Sequence, residues 1–278
     1  MKKSVLCTIA LLIAFALLIP SCAKKEVGGE TATGDDVASK VIRVGATPVP
    51  HAEMLNQVVE PLAAQGYRLE IIEFTDYVTP NEALFSGEID ANFFQHLPYM
   101  ETFNTEHSMD LVSAGGIHIE PLALYSNKYK ATSELPAGAK IAIPNDATNG
   151  GRALLLLQSG GLITLDPASG ITATVHDIVD NPHNLEFAEI EAASLTRVLQ
   201  DVDAAVINGN YAIDAGLNAL KDGLLIESAD SPYVNIISVK AGQENSEKIQ
   251  ALVNALCSDV IADFIGAKYP NGEVVAVF

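Results

Sequence analysis

The sequence predicts an α/β protein with mainly parallel sheets, and three observations carry that reading. After residue 40, short β-branched runs alternate with segments of helical apolar period along the rest of the chain. Apolar residues make up 49% of the chain and charged ones only 18%, so enough apolar surface exists to build a core, and disorder is excluded. At 278 residues the chain is long enough for one large or two modest domains whose parallel strands are joined by right-handed crossovers.

The N-terminus lies outside this pattern. Lys2 and Lys3 precede an apolar run over residues 5–19, interrupted only by Thr8. Such a run is too short for a stable membrane span and fits the apolar core of a secretory signal over residues 1–21. Leu18, Ile19, Pro20, Ser21 and Cys22 resemble a bacterial lipobox, in which the cysteine is acylated and becomes the mature N-terminus. Several acyl chains, palmitate among them, anchor a protein without a spanning helix. Residues 22–40 are polar, glycine-bearing and without period, which reads as a flexible tether of at most about 60 Å when stretched. With Cys7 lost with the signal and Cys22 acylated, Cys257 is the one cysteine left, so the exported fold is expected to hold by its core rather than by a disulfide. Cys257 itself reads as a small, half-buried apolar residue.

The elements follow in order. Residues 41–46 form a β-branched strand, Met54, Leu55, Val58, Val59 and Leu62 fall at helical spacing, and residues 67–74 alternate as a second strand, which makes a βαβ unit. Pro61 is expected to kink or end that helix. A helix over 80–86, a strand over 89–94 and a helix over 97–103 come next. Residues 111–126 hold two apolar runs interrupted by Gly115 and Gly116. Residues 140–144 start another strand, a helix runs through 152–158, and residues 202–207 and 234–239 give further buried strands. Ile249, Leu252, Val253, Leu256, Val260 and Phe264 predict one final helix of about five turns. Residues 118–126 and 224–230 are the segments expected to cross between two lobes, and no internal repeat is present.

Charge and motifs narrow the function. Sixteen basic residues against 35 acidic ones give a net charge of −19 and exclude nucleic-acid binding, which needs clustered Lys and Arg. The sequence lacks G-x-S-x-G, H-E-x-x-H, C-x-x-C and phosphate-loop motifs, so it is not expected to be an enzyme. No cofactor or metal is expected either. A metal-dependent surface protein would have to bring His96, His118 and Glu120 together in space.

Two clusters have the chemistry of a binding site. Residues 143–154 run from an apolar strand through a turn rich in Asn, Asp and Gly directly into a helix. Asn149 lies in that turn, and Arg152 with the N–H groups of the helix N-terminus suits a carboxylate, at the strand end where open α/β sheets hold their ligands. The same spacing also describes a capped turn carrying a solvated arginine. The second cluster is Phe74, Thr75, Asp76 and Tyr77 with Phe93, Phe94 and His96, whose rings suit an apolar or sulfur-bearing side chain or simply pack the core. Neighbours on a strand point to opposite faces, so of Phe93 and Phe94 one is expected in the core. Glu120 and Asn208 also follow apolar runs at strand ends.

Five ordered blocks resemble the NlpA/MetQ family of methionine-binding lipoproteins of ABC importers: residues 74–81, 91–96, 118–122, 143–154 and 205–212. The resemblance runs from Val41 to the C-terminus. It implies a two-lobed periplasmic-binding-protein fold of type II kind, with one lobe over 41–125 and 226–278 and the other over 126–225. It implies a monomer that captures L-methionine between the lobes and passes it to a membrane permease and its ATPase, while its lipid faces the periplasm or the outer surface. Position by position, Arg152, helped by Asn149, would bind the α-carboxylate, Asn208 and Glu120 would satisfy the amino end, and Tyr77, Phe94 and His96 would enclose the thioether chain. D-methionine or a methionine-containing dipeptide is the alternative ligand, and a surface lipoprotein that binds no small molecule is a further alternative.

Overall fold

The computed structural model describes residues 40–228 and 231–278. The signal segment, Cys22 and residues 23–39 lie outside them. Within the described residues the α/β expectation holds, with two larger sheets and a two-stranded ribbon, each large sheet associated with helices.

The first sheet begins as anticipated. β1 (Val41–Ala46) pairs in parallel with β2 (Arg68–Glu73). Between them the helical stretch is two pieces, α1 (Glu53–Gln57) and α2 (Val59–Ala64), broken at Val58 rather than at Pro61. Proline is tolerated in the first turn of a helix, where its missing N–H would be unpaired in any case, so the break falls just before it. α3 (Thr79–Ser86) leads to β3 (Ala91–His96), which is buried throughout and also parallel to β1. α4 (Leu97–His107) leads to β4 (Leu111–Ile119), which passes unbroken through Gly115 and Gly116. A Cβ on Gly115 would lie 2.8 Å from Val253 Cγ1, so glycine there permits close approach of a helix to the strand rather than a turn.

β5 (Ala123–Tyr125) lies in the other sheet. It hydrogen-bonds with β10 (Ala204–Ile207) and β11 (Gly223–Ile226), so the chain changes sheets between Ile119 and Ala123, slightly earlier than the expected change after residue 125. Before them come β6 (Lys140–Pro144), α5 (Ala147–Ser159), the ribbon strands β7 (Thr164–Leu165) and β8 (Ile178–Asp180), β9 (Glu186–Ile190) and α6 (Leu195–Val198). α7 (Gly209–Asp214) and α8 (Ala219–Asp222) separate β10 from β11. The chain returns to the first sheet as β12 (Val234–Lys240).

The sheet orders are β13-β4-β12-β3-β1-β2 and β11-β5-β10-β6-β9, with β13 formed by Val275–Ala276. Parallel pairing is confined to β2-β1-β3 and β10-β6-β9; the remaining ladders of both sheets are antiparallel, so the sheets are mixed rather than mainly parallel. Parallel neighbours here follow helical crossovers, whereas strands joined to the opposite sheet enter without that constraint.

The expected long final helix is two helices, α9 (Glu247–Leu256) and α10 (Asp259–Lys268), bent by 42° at Cys257 and Ser258. The bend turns Ile261 and Ile265 into the core and leaves Val260 exposed. Cys257 is half-buried and free.

Candidate functional site

The loop ends of the two sheets meet around one cavity. Tyr77, Phe94, His96, Glu120, Asn149, Arg152 and Asn208, drawn from five separate stretches of sequence, all line it. Local structure explains how each is presented. Asp76 Oδ1 accepts from the backbone N–H groups of Val78 (2.8 Å) and Thr79 (2.7 Å), a turn that presents Tyr77 at the entrance to α3. His96 caps α4, its Nδ1 accepting from Tyr99 N at 3.1 Å. That bond leaves the proton on Nε2, which donates to Asn149 Oδ1 at 3.2 Å. Burial, with Arg152 nearby, pushes the imidazole down to about 3, so it is neutral.

The polar end of the cavity is a connected network. Asp146 caps α5 through Asn149 N (2.8 Å), and its carboxylate also accepts from Asn149 Nδ2. Asn149 Oδ1 takes a second bond, from Asn208 Nδ2, at 2.8 Å. Asn208 occupies the cap position of α7 without using its side chain there. Its Oδ1 is buried with no partner among the described residues, an acceptor facing a polar cavity with one bond still to make.

Arg152 differs from the sequence expectation. It lies in the second turn of α5, buried, and the first turn is already capped by Asp146. The guanidinium is held on one edge by Glu227, Nε donating to Oε1 at 2.8 Å and Nη2 donating to Oε2, while Nη2 also donates to the Glu120 carbonyl at 3.0 Å. Its Cζ sits 4.2 Å above the centre of the Tyr233 ring. Nη1 makes no hydrogen bond with a described residue, so this is the nitrogen left for a ligand.

Glu120 is buried against two histidines. His118 Nε2 lies 2.7 Å from Glu120 Oε1 and His51 Nε2 lies 3.4 Å from it, with Thr47 Oγ1 at 2.7 Å on the far side of His51. Burial holds His51 down at about 4 and His118 at about 3, and raises the Glu120 carboxyl. The donor atoms of His51, His118 and Glu120 lie within 4.8 Å of one another, a set with metal-ligand chemistry. His96 is not in it, being bonded to Asn149 instead. Ligands of a tetrahedral zinc ion stand about 3.3 Å apart, and the 2.7 Å contact between His118 and Glu120 is a hydrogen bond with a proton in that space.

The apolar end consists of Tyr77, Phe94 and Tyr99, whose ring centres are 5.8–6.1 Å apart. Phe93, the neighbour of Phe94, packs in the core against the His51 ring, as the alternation of a strand requires. Tyr99 donates from its hydroxyl to the Tyr77 carbonyl at 3.0 Å.

Sequence reasoning missed Tyr99, Asn235, Glu227 and Tyr233. Asn235 carried a signal, being an amide inside an apolar strand run, and it lines the cavity and contacts His51. Tyr99 lay one helical turn beyond His96. Glu227 lay in a stretch expected only to cross between lobes, and nothing local marks its partner 75 residues away.

Comparison with known proteins agrees with this architecture. The family model described as NlpA lipoprotein matches residues 42–278. The chain is 48% identical over 238 residues to membrane lipoprotein TpN32 of Treponema pallidum, covering 86% of this chain and 89% of that protein. It is 41% identical over 273 residues to the methionine-binding lipoprotein MetQ of Bacillus subtilis, covering 96% and 97%. A solved nutrient-binding protein from Burkholderia cenocepacia, bound to methionine, superposes with a TM-score of 0.82 at 45% identity, covering 85% of this chain and all of that one. With the family model spanning nearly every described residue and such identity to relatives over most of their length, the chain belongs to the NlpA lipoprotein family.

Proposed function

We propose that this protein is a lipid-anchored substrate-binding protein that captures L-methionine between two lobes, each centred on one of the large sheets, and delivers it to an ABC importer. The role is binding rather than catalysis. The observation that carries the reading is that one cavity has both ends of the ligand's chemistry: the rings of Tyr77, Phe94 and Tyr99 at one end, and Arg152, Asn149, Asn208 and Glu120 at the other. Burying a zwitterion is costly unless each charge is met, and here each has a partner. Arg152 Nη1 would take the carboxylate, helped by Asn149 through its hold on Asn208 and His96, the open Asn208 Oδ1 and Glu120 would take the ammonium, and the aromatic group with His96 would enclose the thioether. The relatives named for methionine, and the methionine-bound neighbour, support the same ligand.

Acylation at Cys22 would tie the protein to the membrane on its extracytoplasmic side, and residues 23–40 would give the lobes reach toward a permease. A Cys22→Ser variant should leave the membrane fraction and appear in the soluble one.

The test of the ligand is mass spectrometry of small molecules released by denaturing protein purified without residues 1–22. Stoichiometric methionine supports the reading. If none is released, refolded protein is titrated with L-methionine, D-methionine and short methionine peptides. Binding of the D-isomer or a peptide alone would reassign the ligand, and no binding at all would reject a methionine receptor.

A further inference from the structure

We infer that Glu227 sets the charge preference of the cavity: by occupying the Nε and Nη2 edge of Arg152 it offsets the guanidinium, so that the site selects a ligand's ammonium more strongly than its carboxylate. This rests on the proposed methionine reading and adds a selectivity rule to it.

The geometry is one-sided. Glu227 takes two hydrogen bonds from Arg152 and a third, at 3.3 Å, from Leu122 N, so its carboxylate is fixed against both the arginine and the first crossing segment. Tyr233 covers one face of the guanidinium, and the Glu120 carbonyl takes the remaining Nη2 proton. An arginine free to form two parallel bonds would grip a carboxylate through a whole edge, but here that edge is spent within the protein.

Arg152 and Glu120 line this end of the cavity, Glu227 and Asp146 stand behind it bonded to Arg152 and Asn149, and the histidines at 51, 96 and 118 are neutral by burial. One cation therefore stands against three carboxyl groups. Asn208 adds a buried acceptor with no partner among the described residues, which an ammonium N–H satisfies and a carboxylate oxygen does not. A ligand's positive end meets an acceptor that lacks a donor and the Glu120 carboxyl, while its negative end meets a guanidinium already paired. Glu227 reaches Arg152 from the second crossing segment and touches the first, so the residue that tunes Arg152 also joins the two connections between the sheets.

The experiment uses two thioether ligands, each lacking one charge of methionine. L-methioninamide keeps the ammonium and loses the carboxylate; 3-(methylthio)propionate keeps the carboxylate and loses the ammonium. In titration calorimetry on wild-type protein, the amide should bind at least tenfold more tightly than the acid. Glu227→Gln keeps an oxygen acceptor for Arg152 but removes the charge, and it should narrow that ratio at least fivefold. A wild-type preference for the acid, or an unchanged ratio in the variant, overturns the inference while methionine binding stands. Protein that binds neither these ligands nor methionine overturns the methionine reading and the inference with it. If Glu227→Gln does not fold, the wild-type ratio alone decides, equal or reversed affinities counting against the inference.

Discussion

The hydroxyl of Tyr77 donates to Asn210 Oδ1 at 2.5 Å across the cleft, from the loop after β2 to the first turn of α7. A few residues along each element, Tyr211 donates to the Thr75 carbonyl at 3.1 Å, and the rings of Tyr77 and Tyr211 lie 5.0 Å apart. Tyr77 is thus both a wall of the cavity and a latch between the elements that close it. Burial raises its hydroxyl well above the ordinary tyrosine value, so it remains a donor at any physiological pH.

Two roles for one ring lead to two expected losses. Tyr77→Phe removes the latch bond alone and should weaken methionine binding about two- to tenfold, the worth of one hydrogen bond. Tyr77→Ala also opens the aromatic end and should bring the affinities of methionine, leucine and norleucine closer together. Calorimetric ranking of the three ligands checks this; a ranking in the alanine variant identical to wild type would put the thioether site elsewhere.

Arg152→Ala should weaken methionine at least a hundredfold. The variant removes the cation that meets the ligand's carboxylate and leaves Glu227 without its partner in a half-buried place, and truncating a buried charge pair costs about 2–5 kcal/mol. A titration isotherm matching wild type would reject the assignment of Arg152.

Acid should destabilise the protein from the pH range in which free histidine titrates. The folded-state values of His51, His96 and His118 lie below the unfolded value of 6.5, at about 4, 3 and 3, chiefly through burial. The unfolded chain therefore binds more protons, and stability falls as pH drops below about 6.5, continuing toward the folded values. Glu120 and Asp146, raised by burial, act in the opposite sense, because their neutral forms are favoured in the fold as pH falls. Three imidazoles against two carboxyls make the loss dominant between pH 6.5 and 5. Urea midpoints at pH 7, 6 and 5 should decrease in that order; midpoints that rise would mean the imidazoles are protonated in the native state.

Gly151→Ala should cost about 1–3 kcal/mol, the usual penalty of overpacking. A Cβ at this position would stand 2.2 Å from the Ile171 carbonyl, a backbone atom with no rotamer to move. Helix α5 would have to shift, carrying Asn149 and Arg152 with it, so methionine affinity should fall together with the denaturation midpoint. A variant as stable as wild type would show that the 170–172 turn gives way instead.

The α/β class, the order of most strands and helices, and seven of the residues that line the cavity were legible in the sequence. β-branched runs and apolar period are local signals, and Tyr77, Phe94, His96, Glu120, Asn149, Arg152 and Asn208 sit in blocks whose order resembles a family. Where local pattern misled, a distant contact decided. The apolar period from Ile249 to Phe264 continues across Ser258, yet the chain bends there because Ile261 and Ile265 reach the core only from a second helix axis. Gly115 and Gly116 look like a turn and are the place where β4 runs close to Val253 and Val234.

The sequence by itself determined the fold class, the signal and lipobox pattern and the residue types of the cavity, because each of these is written in neighbours a few positions apart. Tertiary structure alone decided the pairings: Arg152 with Glu227, Glu120 with His51 and His118, and Tyr77 with Asn210. These partners are separated by up to 133 residues except for His118 and Glu120, two positions apart, and charge or hydrogen-bond complementarity carries no sequence period by which to recognise it.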